Sequence, residues 1–120
     1  MSRDRGSATV WLAGLAALVG LATFAALVHG SAIIARHRAG TAADLAALAA
    51  AVRVPDGAAA ACATAREIAA RNGGSLTRCV LSGDDVEVEV TRPLVLGSLG
   101  SWAAMASARA GPVDRIPLPP

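Results

Sequence analysis

The chain has 120 residues, of which 54% are hydrophobic and only 2% aromatic, and a formal net charge of +2. All eleven basic residues are arginine. So small a charge, with few rings to stack on bases, excludes a nucleic-acid-binding footprint. Setting aside the apolar front of the chain leaves about 85 residues, enough for one small domain with a thin core.

Met1 to Gly6 (MSRDRG) is a short charged head. Ser7 to Ala35 follows without one Asp, Glu, Lys or Arg. An uncharged apolar run of this length crosses a bilayer as a helix, because a helix satisfies its own backbone hydrogen bonds in lipid. The run exceeds the apolar region of a secretory leader, which supports a retained anchor. A small-residue site at Gly30-Ser31-Ala32 leaves cleavage before Ile33 as the alternative. Small residues recur at four-residue spacing: Ala13 and Ala17, Ala16 and Gly20, Ala22 and Ala26. Such faces let membrane helices approach closely, although an alanine-rich chain also produces them by chance. Trp11 and His29 fall near the two ends, where amphipathic rings suit the headgroup region. Arg3 and Arg5 balance Arg36 and Arg38, so charge alone does not orient the helix.

Arg36, His37 and Arg38 mark the exit from the bilayer. The helical pattern continues: Ile34, Thr41, Leu45, Leu48 and Val52 share one face, predicting an amphipathic continuation that lays these side chains on a small domain. Pro55-Asp56-Gly57 ends it. Ala58 to Arg71 is a second helix with Ala58, Cys62, Ala65 and Ala69 on one face, stopped by Asn72-Gly73-Gly74.

Two strands follow, Leu76 to Leu81 and Val86 to Thr91, around the turn Ser82-Gly83-Asp84-Asp85. Placing Leu81 opposite Val86 sets Cys79 against Val88, Thr77 against Val90 and Arg78 against Glu89. Apolar side chains then share one sheet face. That register turns Cys79 toward the helix bearing Cys62. A Cys62–Cys79 bridge fits an oxidising compartment; two buried free thiols are the alternative. Arg92-Pro93 is expected to end the second strand. Leu99, Trp102, Met105 and Ala106 fit a short amphipathic helix that caps the domain, with lying on the membrane surface or docking a partner as the alternatives. The tail from Gly111 holds four of the six prolines and reads as disordered.

No catalytic constellation is present. The histidines, His29 and His37, lie in or beside the apolar run, far from any nucleophile and carboxylate pair. Cys62 and Cys79 lack the spacing of a zinc site. Asp84, Asp85, Glu87 and Glu89 do not have EF-hand spacing and read as a solvated acidic turn. The residues therefore point to no enzyme, no cofactor, no metal and no small-molecule substrate.

Arg5-Gly6-Ser7-Ala8-Thr9-Val10, followed by the apolar helix, resembles the start of TadE-like proteins of the tight-adherence (Flp-type) pilus systems. Arg36 to Ala50 resembles the segment beyond the membrane helix in that family. Cys62, Arg66-Glu67, Asn72-Gly73, Cys79, Val86 to Pro93 and Ala108 to Pro112 resemble its short branch in high-GC Gram-positive bacteria, found near helicase and secretion genes. The resemblance implies a minor-pilin-like (pseudopilin) membrane protein, accessory to assembly of a pilus or secretion apparatus. It also implies a leader cut after Gly6, leaving Ser7 first. Such pilins usually carry Glu at the fifth mature position; here it is Trp11.

The expected fold is α+β and membrane-anchored: a long N-terminal helix, a second helix, a β-hairpin and a short C-terminal helix. The expected divisions are a head over 1–6, a transmembrane helix over 7–35, its amphipathic continuation over 36–54, a small domain over 55–110 and a tail over 111–120. The expected partners are the membrane, and other pilus or secretion membrane proteins or a second copy, met through the membrane helix. The N-terminus is placed in the cytoplasm and the domain outside. The alternatives are a generic envelope binding module, anchored or secreted, and a membrane regulator with its domain and reduced thiols in the cytoplasm.

Overall fold

The computed structural model describes residues 4–95 and 97–113. The head residues Met1 to Arg3, Leu96 and the proline-rich end from residue 114 lie outside the described residues. Helix α1 runs over Asp4–Val52, α2 over Ala58–Arg71, and strands β1, β2 and β3 over Ser75–Ser82, Asp85–Val95 and Ser101–Ala110. The chain divides into two units, the first ending at Ile33 and the second beginning at Ile34.

Alanine and leucine, both strong helix formers, sustain α1 for 49 residues. Its glycines do not break it. Pro55 does, by disfavouring helical backbone before it. A 3-10 turn over Val54–Asp56 follows, and Gly57, at φ 100°, redirects the chain into α2. At the far end of α2, the N–H of Gly74 donates to the Ala69 carbonyl at 2.9 Å and that of Gly73 to Ala70 at 3.0 Å. Gly73, at φ 74°, permits this closure.

The second unit buries alanine where the sequence pattern assigned leucine. On α1, Ala35, Ala39, Ala42, Ala43, Ala46, Ala47 and Ala50 are each at most 5% exposed. They occupy the side roughly opposite the face anticipated to cover the domain. That anticipated face is exposed: Ile34 at 53%, Leu45 at 42%, Leu48 at 59% and Val52 at 79%. The reason is distance. Methyl-sized side chains let another element approach a helix closely, and the gain is dense contact along its whole length. On α2 the buried residues are Ala61, Ala65 and Ala69, so the inner face begins at Ala61 rather than Ala58.

The sheet is antiparallel, in the order β1-β2-β3. Its inner face carries Val86, Val88 and Val90, the largest fully buried side chains. They join the alanines of α1 and α2 in one core, with Leu76, Cys79 and Leu81 packed against it. Gly83, at φ 63°, opens a two-residue turn between β1 and β2, the place where tight hairpins take glycine. The register pairs Leu81 with Val86, Cys79 with Val88 and Arg78 with Glu89. Opposite Val90, however, stands Leu76 and not Thr77. A bulge at Thr77 absorbs one residue, which keeps Leu76 on the apolar face.

Two further expectations are corrected here. β2 does not stop at Arg92-Pro93 but continues to Val95. β1 ends its pairing at Thr91, so beyond it β2 is an edge on that side, where proline is tolerated. Residues 101–110 form β3 and not a helix. Ala104, Ala106, Ala108 and Ala110 turn inward between the exposed Met105, Ser107 and Arg109, a period of two that outweighs the three-residue spacing of Leu99, Trp102 and Met105.

Candidate membrane and packing surface

In the first unit, α1 shows apolar side chains to its surroundings on every side. Trp11 is 79% exposed, and Val10, Leu12, Leu15, Leu18, Leu21 and Leu27 are also largely uncovered. An 18-residue window of α1 has a mean hydropathy of 2.1, and none of it is buried. The core helix of a water-soluble protein hides such a window; here none of the described residues covers it. A helix hydrophobic all round and uncovered is built for an apolar medium.

The polar side chains along this stretch are made compatible with lipid locally. Thr23 Oγ1 donates to the Val19 carbonyl at 2.9 Å, and Ser31 Oγ to Val28 at 2.8 Å. Each hydroxyl is thus satisfied within one helical turn and requires no water.

The expected packing pairs, Ala13 with Ala17, Ala16 with Gly20 and Ala22 with Ala26, all lie on this uncovered helix. At Gly14 and Gly20 a Cβ would meet nothing within 4 Å, so the backbone there is open to a neighbour. Gly6 and Ser7 lie in the first turns of α1. His29 and His37 are exposed on the same helix.

Cys62 and Cys79 come together: their Cα atoms are 5.9 Å apart and the sulfurs are bonded. The bridge ties the middle of α2 to the centre of β1. Three of the acidic residues around the β1–β2 turn, Asp85, Glu87 and Glu89, are engaged by partners on the sheet. Asp85 accepts from Arg109 Nε at 3.0 Å, Glu87 lies 3.7 Å from Arg78, and Glu89 accepts from Thr77 Oγ1 at 3.2 Å. Arg92 Nη1 donates to the Asn72 carbonyl at 2.6 Å, joining β2 to the C-terminal end of α2.

Residues 6–53, less than half of the chain, match the family described as Flp pilus-assembly TadE/G-like. The matched stretch of α1 is similar to that family. No curated protein and no solved structure matches the chain. The TadE-like match takes in the whole apolar stretch and the alanine face beyond it, and it stops where Pro55 ends the helix.

Two groups of apolar residues whose first reading from the sequence was to cover the domain are exposed instead. One is the outward Ile34, Leu45, Leu48 and Val52 stripe. The other is the loop between β2 and β3, where Val95, Leu99 and Trp102 are 72%, 63% and 69% exposed. The signal for the first was the unbroken alanine periodicity from Ala35 to Ala50. For the second it was the absence of any charged residue from Pro93 to Ala108.

Proposed function

We propose that this chain is a single-pass, pseudopilin-like accessory of a Flp-type pilus or a related secretion apparatus. The TadE/G-like match over residues 6–53 carries this reading. The first unit of α1 spans the membrane and packs by its small faces against the helices of other assembly proteins or of a second copy. The N-terminus stays in the cytoplasm and the second unit is displayed outside. Its Cys62–Cys79 bridge supports that orientation, because disulfides persist in oxidising compartments. The role is structural, and no chemistry on a substrate is assigned to it. Trp11 occupies the position where a filament-forming pilin places the carboxylate that pairs with a neighbouring N-terminal amine. This favours a fixed anchor or assembly accessory over a filament subunit.

Mass spectrometry of the mature protein tests the proposal. Ser7 as the first residue is the outcome expected of prepilin-type processing. Ile33 as the first residue would mean secretory cleavage after Ala32 and would favour a released envelope module. An unprocessed start would remove the leader from the proposal and leave the anchor.

A further inference from the structure

The sheet of the second unit has two edges, β1 and β3, and they are built differently. β1 carries the bulge at Thr77 and, beside it, the charged Arg78. Bulges and charges are devices that keep one strand edge from pairing with another. β3 has no bulge: its register against β2 runs without a shift from Ser101 to Ala110. It holds no proline, and Arg109 is its one charged residue. That charge is already matched by Asp85 within the same sheet.

The open side of β3 has a definite hydrogen-bonding pattern. In an antiparallel ladder, pairs that exchange two backbone bonds alternate with pairs that exchange none. Pro93 has no N–H to exchange, so Pro93 and Ala103, which stand opposite each other, form an open pair. By the alternation, Thr91 with Met105, Glu89 with Ser107 and Glu87 with Arg109 are open pairs too. The hairpin gives the same answer from the other side. Ser82 and Asp85 close its two-residue turn as a bonded pair, which aims the backbone groups of Asp85 and Glu87 at β1. The N–H and C=O groups of Ala103, Met105, Ser107 and Arg109 therefore turn away from β2. Among the described residues, no second strand lies beside β3, and no turn or loop backbone bond reaches it. A row of backbone donors and acceptors at this spacing is complementary to another β-strand.

We propose that this strand is β3 of a second copy, so that two second units join edge to edge in one continuous antiparallel sheet. Pairing about a two-fold axis at Met105 sets Met105 against its counterpart, Ala103 against Ser107 and Ser101 against Arg109, each as a bonded pair. Between them Ala104 meets Ala106 and Trp102 meets Ala108. A two-fold interface must accept its own surface. Here no like charges face each other, and the only large pair is the adaptable Met105 with itself. Trp102 and Met105, 69% and 61% exposed, are the large side chains that gain a neighbour. A foreign peptide added to a sheet edge is selected by pockets for alternate side chains. The inward side chains of β3 from 104 to 110 are all alanine and form no such pockets, which favours the self-pairing. The inference uses only the second unit and holds whether or not α1 spans a membrane.

Sedimentation and residue-resolved amide exchange of the full-length protein in mild detergent, over a range of concentrations, test the pairing. At high concentration the protein should be dimeric, with the amides of Ala103, Met105 and Ser107 as protected as those of Ala104 and Ala106. On dilution to the monomer the first set should exchange freely while the second stays slow. Met105→Pro removes an N–H that β2 does not use, so it spares the β2–β3 ladder. It should raise the dimer Kd at least about tenfold, because both bonds across the axis are lost. Met105→Lys keeps the N–H but sets like charges opposite each other, and should weaken the dimer as well. A dimer in which Ala103, Met105 and Ser107 exchange freely would overturn the proposal, since the copies then meet elsewhere, the apolar helix included; the proposed function would stand. Protection of these amides in the monomer would also overturn it, by showing that another segment of the chain covers the edge. A protein monomeric at every concentration, or full protection of Ala103 and Ser107 in both variants, would do the same.

Discussion

Ala46 and Leu48 stand two positions apart on α1, yet Ala46 is fully buried and Leu48 is 59% exposed. The contact made here depends on how close a neighbour can come, and a methyl group sets that distance. Enlarging Ala46 therefore pushes the helix away from Val86, Val88 and Val90. Ala46→Leu should cost about 1–3 kcal/mol, whereas Leu48→Ala should stay within about 0.5 kcal/mol. Urea denaturation of the full-length chain in mild detergent, followed by amide exchange in β2, measures both. If Leu48→Ala proved the more damaging, the assignment of faces would be reversed. The same contrast explains why this surface was misread from the sequence. Leu45, Leu48 and Val52 carry most of the hydropathy, and periodicity weighted by hydropathy follows them and passes over alanine.

The elements of the second unit are short and their core is made of small side chains, so cross-links between them matter. The Cys62–Cys79 bridge closes 17 residues of separation. By constraining the unfolded chain, a loop of that size contributes about 3 kcal/mol. Replacing both cysteines with alanine should remove that much stability relative to the oxidised protein, and adding reductant to the native chain should do the same. Equal melting with and without reductant would contradict it. The exposed ion pairs, Glu67 with Arg71 and Arg78 with Glu87, contribute far less, because water screens them. The α2 boundaries and the pairing of Cys79 with Val88 were legible from local signals: a glycine stop, a tight turn and alternating valines. The bulge at Thr77 and strand β3 were not. A bulge answers to the core face it preserves, and the alanine alternation in β3 has meaning only once β2 supplies an edge to pair with.

For the whole molecule, the exposed apolar helix decides where the protein can reside. A charge placed within it must be dehydrated for insertion. Leu18→Arg should raise the cost of crossing by about 3 kcal/mol and move the protein out of the carbonate-resistant membrane fraction. Unchanged membrane retention would argue against insertion through this helix. That the chain has such a helix was determined by the sequence alone, since twenty or more uncharged apolar residues dictate a helix in lipid whatever follows them. The second helix and the first hairpin were likewise set by nearby residues. Only the tertiary structure decided which side of α1 beyond Ile33 is buried and that residues 101–110 form a strand. Those outcomes depend on how near separate segments approach one another. Alanine is equally at home in helix and core, on a surface and along an inward strand face, so it leaves that choice to its neighbours.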